Sequence, residues 1–85
     1  MSTPTILYNS GWINFANEDE IKQINHSLNV PPKNIQMEIQ DSGLIGENDP
    51  APYIVASSLN HANILEIIKP SGCPCGSQFK IVIYD

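Results

Sequence analysis

Ile35-Gln36-Met37-Glu38-Ile39 and Phe79-Lys80-Ile81-Val82-Ile83-Tyr84 are the two stretches whose reading decides the fold. In the first, apolar Ile35, Met37 and Ile39 alternate with polar Gln36, Glu38 and Gln40. In the second, Phe79, Ile81 and Ile83 alternate with Lys80, Val82 and Tyr84. A period of two with one apolar face is the pattern of a half-buried strand. Outward from these stretches, turn formers recur at short intervals: Asn9-Ser10-Gly11, Val30-Pro31-Pro32, Asp41-Ser42-Gly43, Gly46 to Pro52, Asn60 to Asn63 and Pro70 to Gly76. Short segments between regular breakers predict an all-β chain. Pro31 and Pro32 have no N–H for a ladder, so they precede a strand rather than lie within it.

Tyr53 to Leu59 and Ile64 to Ile68 are apolar on both faces in part, as strands covered by a second sheet or a neighbouring subunit are. Asn17-Glu18-Asp19-Glu20 pulls the other way, since it reads as a helix N-cap with an acidic first turn, followed by Ile21, Ile24 and Leu28 at helical spacing. The competing strand sets Ile24, His26 and Leu28 on one face and leaves Ile21 out of phase. Local pattern leaves both readings open.

The chain has 85 residues, enough for one domain and one core. Its hydrophobic fraction is 41% and its charged fraction only 15%, a globular composition rather than a disordered one. Four Lys, no Arg and nine acidic residues give a net charge of −5, which opposes binding to nucleic acid. No apolar run approaches the roughly 18 residues of a membrane helix, so no membrane insertion is expected. Met1-Ser2-Thr3-Pro4-Thr5 carries neither a basic cluster nor an apolar h-region, which predicts no signal peptide and synthesis in a cytoplasm.

The order of features, Ser10-Gly11-Trp12, Ile24-Asn25-His26, Pro31-Pro32 leading into Ile35 to Ile39, and three later strands, resembles the H-type lectin fold. That resemblance implies a six-stranded antiparallel β-sandwich assembling as a parallel trimer, of the kind that recurs in phage tail-fibre and receptor-binding proteins. It also favours the strand over the helix for Lys22 to Leu28. The whole chain, 1–85, is then one sandwich domain with a short N-terminal arm, Ser2 to Ile6.

The resemblance implies a sugar site made from the serine of the Ser-Gly motif, an arginine, and an aromatic residue or histidine near the last loops. Ser10 matches the first, but the chain has no arginine, and Lys69 to Ser77 contains no ring on which a sugar could stack. Ser10, Trp12 and the loop residue His61 are the candidate binding residues. Trp12 also reads as a core plug at one end of the sandwich. His26 reads as a buried, hydrogen-bonded core histidine.

Cys73 and Cys75, with His26 and His61, could supply four zinc ligands, but the C-x-C spacing and the rigid Pro74 speak against a metal site. Free thiols on a turn are the first reading and a disulfide the second. Glu18-Asp19-Glu20 and Glu47-Asn48-Asp49 read as solvated loop faces. The serines show no nucleophile arrangement, so no catalytic residue and no cofactor are assigned, and the chain is not expected to be an enzyme. The expected function is a virion structural protein of phage type, a capsid decoration or cement subunit docking as a homotrimer on larger capsid or tail proteins. A carbohydrate- or receptor-binding module is the alternative, with glycan as its partner.

Overall fold

The computed structural model describes residues 4–85. It is all-β, with seven strands: β1 (Ile6–Asn9), β2 (Ile13–Asn14), β3 (Ile21–Asn25), β4 (Asn34–Ile39), β5 (Tyr53–Ile54), β6 (Ile64–Ile68) and β7 (Gln78–Tyr84). Short 3-10 helices cover Ser42–Leu44 and Ala56–Asn60. The strands form two antiparallel sheets, β1, β2, β4 and β7 in one and β3, β6 and β5 in the other.

β7 is the centre of the first sheet. Its whole length from Phe79 to Tyr84 pairs with β4 on one side, while β1 and β2 follow one another along its opposite side. Between the pairs Asn9↔Val82 and Ile13↔Phe79 the edge strand holds one residue more than β7 does. Ser10 and Gly11 absorb it. The Gly11 N–H donates to Asn9 Oδ1 at 2.9 Å, and Gly11 takes a φ of 68°, a region closed to most side chains. This break is why the described residues form seven strands where six are expected.

The alternating stretches land as the period predicts, except that Val82, on the outer face of β7, is buried as well. Phe79, Ile81 and Ile83 of β7 are fully buried and meet Ile24, Leu65 and Ile67 of the other sheet in one cluster, with Ile13, Phe15, Ile35 and Met37 packed at its margin. Each such side chain withdrawn from water contributes about 1.5–3 kcal/mol. The polar residues of β4 and β7 zip across the outer face. Lys80 Nζ lies 2.7 Å from Glu38 Oε2, and Tyr84 Oη donates to Gln36 Oε1 at 3.3 Å.

Of the segment with two readings, Ile21–Asn25 is a strand, but the strand stops short of the expected Leu28: His26 to Leu28 lie beyond it, where Ser27 takes a φ of 56° and Asn25 Oδ1 accepts the Ser27 N–H. β3 pairs residue for residue with β6, Ile21↔Ile68 through Asn25↔Ile64, burying Ile24 and leaving Ile21 47% exposed. The acidic stretch before it forms a tight turn, with Asp19 at a φ of 67°. A helix would have satisfied the local pattern but given up this pairing.

Tyr53 to Leu59 departs from the expected strand. Only Tyr53 and Ile54 pair, and the chain then turns into a 3-10 helix. The Ser58 hydroxyl donates to Val55 O at 2.6 Å and accepts from Glu66 N–H at 3.1 Å, so side-chain bonds replace the ladder there. Of the expected arm, Ser2 and Thr3 lie outside the described residues. Ile6 belongs to β1, and Thr5 O accepts from Asp85 N–H at 2.8 Å, so this end of the chain is part of the sheet margin.

Candidate binding surface

Ser10, Trp12 and His61 come from two different places. Ser10 and Trp12 sit at the break between β1 and β2, whereas His61 follows the second 3-10 helix, ahead of β6 in the other sheet. Among the described residues no hydrogen bond joins His61 to either of the others.

The Ser10 hydroxyl is committed to the fold. It accepts from Ile81 N–H at 2.8 Å and donates to Gly11 O at 2.8 Å, while the Ser10 N–H donates to Ile81 O at 2.9 Å. Where the bulge carries the edge carbonyl away from β7, the side-chain oxygen takes its place. Trp12 is 50% exposed and is not the core plug. The parity of β2 turns Ile13 inward and Trp12 outward, where the ring lies 5.3 Å from Lys80 Nζ.

His61 is exposed, yet its ring is held. Nδ1 accepts from both Asn63 N–H at 3.0 Å and Ile64 N–H at 3.1 Å, so the neutral ring carries its proton on Nε2. It borders an open depression of about 290 Å³ with Gln23, Ser57, Ile64 and Glu66. Gln23 and Glu66 are directly opposed across β3 and β6, and the Gln23 amide reaches Glu66 Oε2 at 3.4 Å. The depression therefore offers an N–H donor, a carboxylate acceptor, an amide and a hydroxyl, with Ile64 as its apolar contact. Sequence reading singled out His61 but missed Gln23, Ser57 and Glu66, because strand register sets Gln23 against Glu66 and the second 3-10 helix brings Ser57 beside them.

His26 is buried, 3% exposed, as read. Nδ1 accepts from Leu28 N–H at 3.2 Å, the Tyr8 ring stands edge-on with centroids 6.3 Å apart, and Nε2 has no partner. Burial, and then the neighbouring His61, hold its pKa below the usual 6.5.

Cys73 and Cys75 are joined in a disulfide, against the first expectation of free thiols. The loop that carries them is pinned on both flanks. Ser71 N–H donates to Asp19 Oδ1 at 3.1 Å and Ser71 Oγ to Glu18 Oε2 at 3.1 Å, while Gly76 N–H donates to Gln40 O at 2.8 Å. Those anchors hold Cys73 and Cys75 in one short turn, where the sulfurs meet. Glu18 and Asp19 thus brace a neighbouring loop as well as facing solvent. Among the described residues no three His, Cys, Asp or Glu side chains are grouped to hold a metal ion, and no helix is long and apolar enough to cross a membrane.

A second hollow, about 150 Å³, lies beside Leu7, Leu28, Val30, Pro31 and Ile83 at the other end of β7. No family model, curated protein or solved structure matches the chain.

Proposed function

We propose that the chain is a non-catalytic structural subunit of a phage-type virion, an H-type lectin-like sandwich that docks as a homotrimer on a larger particle. The observation that carries this reading is a row of apolar side chains on the outer face of the second sheet. Ile21, Ile68 and Tyr53 are directly paired across β3, β6 and β5. Ile21 is 47% and Tyr53 50% exposed, on a face where an uncovered strand carries polar groups. β1 and β2 share one side of β7, so counting them as a single interrupted strand gives three strands in each sheet. That count supports the six-stranded sandwich, and the resemblance supplies the threefold and the virion setting. Light scattering at micromolar concentration tests the assembly. The expected mass is a multiple of three chains, falling when Ile68→Glu and Tyr53→Glu are introduced together. A monodisperse 9.4 kDa species refutes the reading.

The depression beside His61 favours a second reading, a glycan- or receptor-binding module. A donor and an acceptor facing one space suit a hydroxyl, which accepts from one and donates to the other. A glycan array separates the two. The structural reading expects a blank array; a signal inhibited by free sugar and lost in His61→Ala replaces it with the second reading.

A further inference from the structure

The two sheets expose four strand edges, and three of them are guarded against pairing with another chain. The β1 and β2 edge is broken by a register slip at Leu7 and again at Ser10 and Gly11. β3 turns Lys22 toward the inner face, opposite Ile67, an inward charge that penalises further pairing. β5 has only two residues. Bulges, inward charges and shortness are the devices by which proteins blunt sheet edges.

β4 has none of these. It runs unbroken for six residues, Asn34–Ile39, without Pro or Lys, and its one charge, Glu38, is neutralised by Lys80. Gln40 N–H donates to Gln78 O, which sets the phase of the ladder. Even-numbered residues of β4 therefore bond to β7, and the N–H and C=O groups of Ile35, Met37 and Ile39 point to the free side. Among the described residues none of them has a partner there. Pro31 and Pro32 ahead of the strand, and the left-handed Asp41 (φ 58°) behind it, limit the open ladder to this stretch.

We infer that this edge pairs with the β4 of a second copy, antiparallel about a twofold axis at Met37. Side-chain parity and hydrogen-bond phase both choose that occupant and that register. Met37 faces Met37, Ile35 faces Ile39, Gln36 faces Glu38, and Asn34 faces Gln40. Apolar residues meet apolar ones, each Glu38 meets an amide, and the outward groups of Ile35, Met37 and Ile39 exchange about six hydrogen bonds. Shifting the axis to Glu38 sets two carboxylates directly opposite one another, which is destabilising. Shifting it to Gln36 brings Lys33, next to the prolines, into the ladder. The half-buried Ile35, Met37 and Ile39 lose their remaining contact with water in the process.

This contact goes beyond the threefold assembly and is independent of it. A twofold contact yields an even number of chains, whereas a trimer alone is odd. Native mass spectrometry and light scattering on the full chain test it, with two substitutions at the exposed Gln36. Gln36→Glu faces the partner's Glu38 at two symmetric places and is expected to weaken the contact about tenfold, halving the mass near the dissociation constant. Gln36→Lys faces the same carboxylates and is expected to keep or tighten it. Met37→Pro removes an outward N–H that β7 does not use and is expected to halve the mass as well; circular dichroism checks that it folds, and the Gln36 pair carries the test if it does not.

An even-numbered wild type that responds in this order supports the pairing. A dimer that responds in this order supports it while refuting the trimer. A trimer alone refutes the pairing and leaves the proposed function standing, and a monomer refutes both. An even-numbered assembly indifferent to Gln36→Glu and Gln36→Lys also overturns the pairing, because its twofold then lies elsewhere.

Discussion

Ser10→Ala is expected to be a stability mutation before it is a binding mutation. The Ser10 hydroxyl accepts the Ile81 N–H at 2.8 Å, and Ile81 is fully buried in the centre of β7. Alanine removes the acceptor, and the bulge gives the N–H no backbone carbonyl in exchange. An unsatisfied buried N–H costs about 1–3 kcal/mol. The bond to Gly11 O, at a half-buried position, adds about 0.5–1 kcal/mol. For a domain of this size 1 kcal/mol moves the melting temperature by about 4–8 °C, so a loss of about 2 kcal/mol lowers it by roughly 8–16 °C. Thermal melting followed by circular dichroism measures the shift, and urea unfolding gives the free energy. Ser10→Thr keeps the oxygen and is expected to recover most of the loss. A Ser10→Ala protein within about 0.5 kcal/mol of the parent refutes the reasoning, because surface changes fall in that range. If that variant also lost a glycan signal, Ser10 would belong to a site rather than to the sheet.

Three further expectations follow from the same geometry. Because His26 has its folded pKa held below 6.5, the unfolded chain takes up its proton first as the pH falls. Stability from this group is complete above 6.5 and declines through the window below it, and urea titrations of the parent minus His26→Gln isolate it; a flat difference from pH 7 to about 5 contradicts the burial argument. Cys73→Ser with Cys75→Ser is expected to cost under about 2 kcal/mol and leave the circular dichroism spectrum intact, since the closed loop is so short and the Asp19, Glu18 and Gln40 anchors remain; loss of structure would show that the disulfide organises that end of the molecule. Trp12→Ala is expected to cost at most about 1 kcal/mol, the scale of an exposed cation–π contact, whereas a core tryptophan would cost about 3–5 kcal/mol in the same urea experiment.

The candidate surface was only partly legible in the chain. His61 stood out because histidine in an Asn-rich turn is both polar and exposed. Gln23 and Glu66 are ordinary strand residues, 43 positions apart in sequence, and nothing in either marks a site until β3 and β6 are laid side by side. Ser10 shows the reverse. The resemblance implies a ligand contact for it, but the Ile81 N–H of the neighbouring strand and the carbonyl of Gly11 occupy its acceptor and its donor. Sequence lists the polar groups, and pairing decides which of them remain unspent.

What the sequence determined by itself is the alternation of Ile35 to Ile39 and Phe79 to Tyr84, the prolines and glycines between segments, and through them an all-β chain. These are local properties: a period of two and a turn residue act within a few positions. Tertiary structure alone decided the rest. Ile21 to Asn25 is a strand because β6 offers five partners, which outweigh a helical spacing that no partner rewards. Ala56 to Asn60 left the ladder because Ser58 found Val55 and Glu66. Trp12 faces solvent because the extra residue at Ser10 and Gly11 set the parity of β2. For Ile21 to Asn25 and for Trp12 the deciding pairing joins residues far apart along the chain, so the choice belongs to strand pairing, whereas Ser58 acts through partners within eight residues that only the folded turn brings to its hydroxyl.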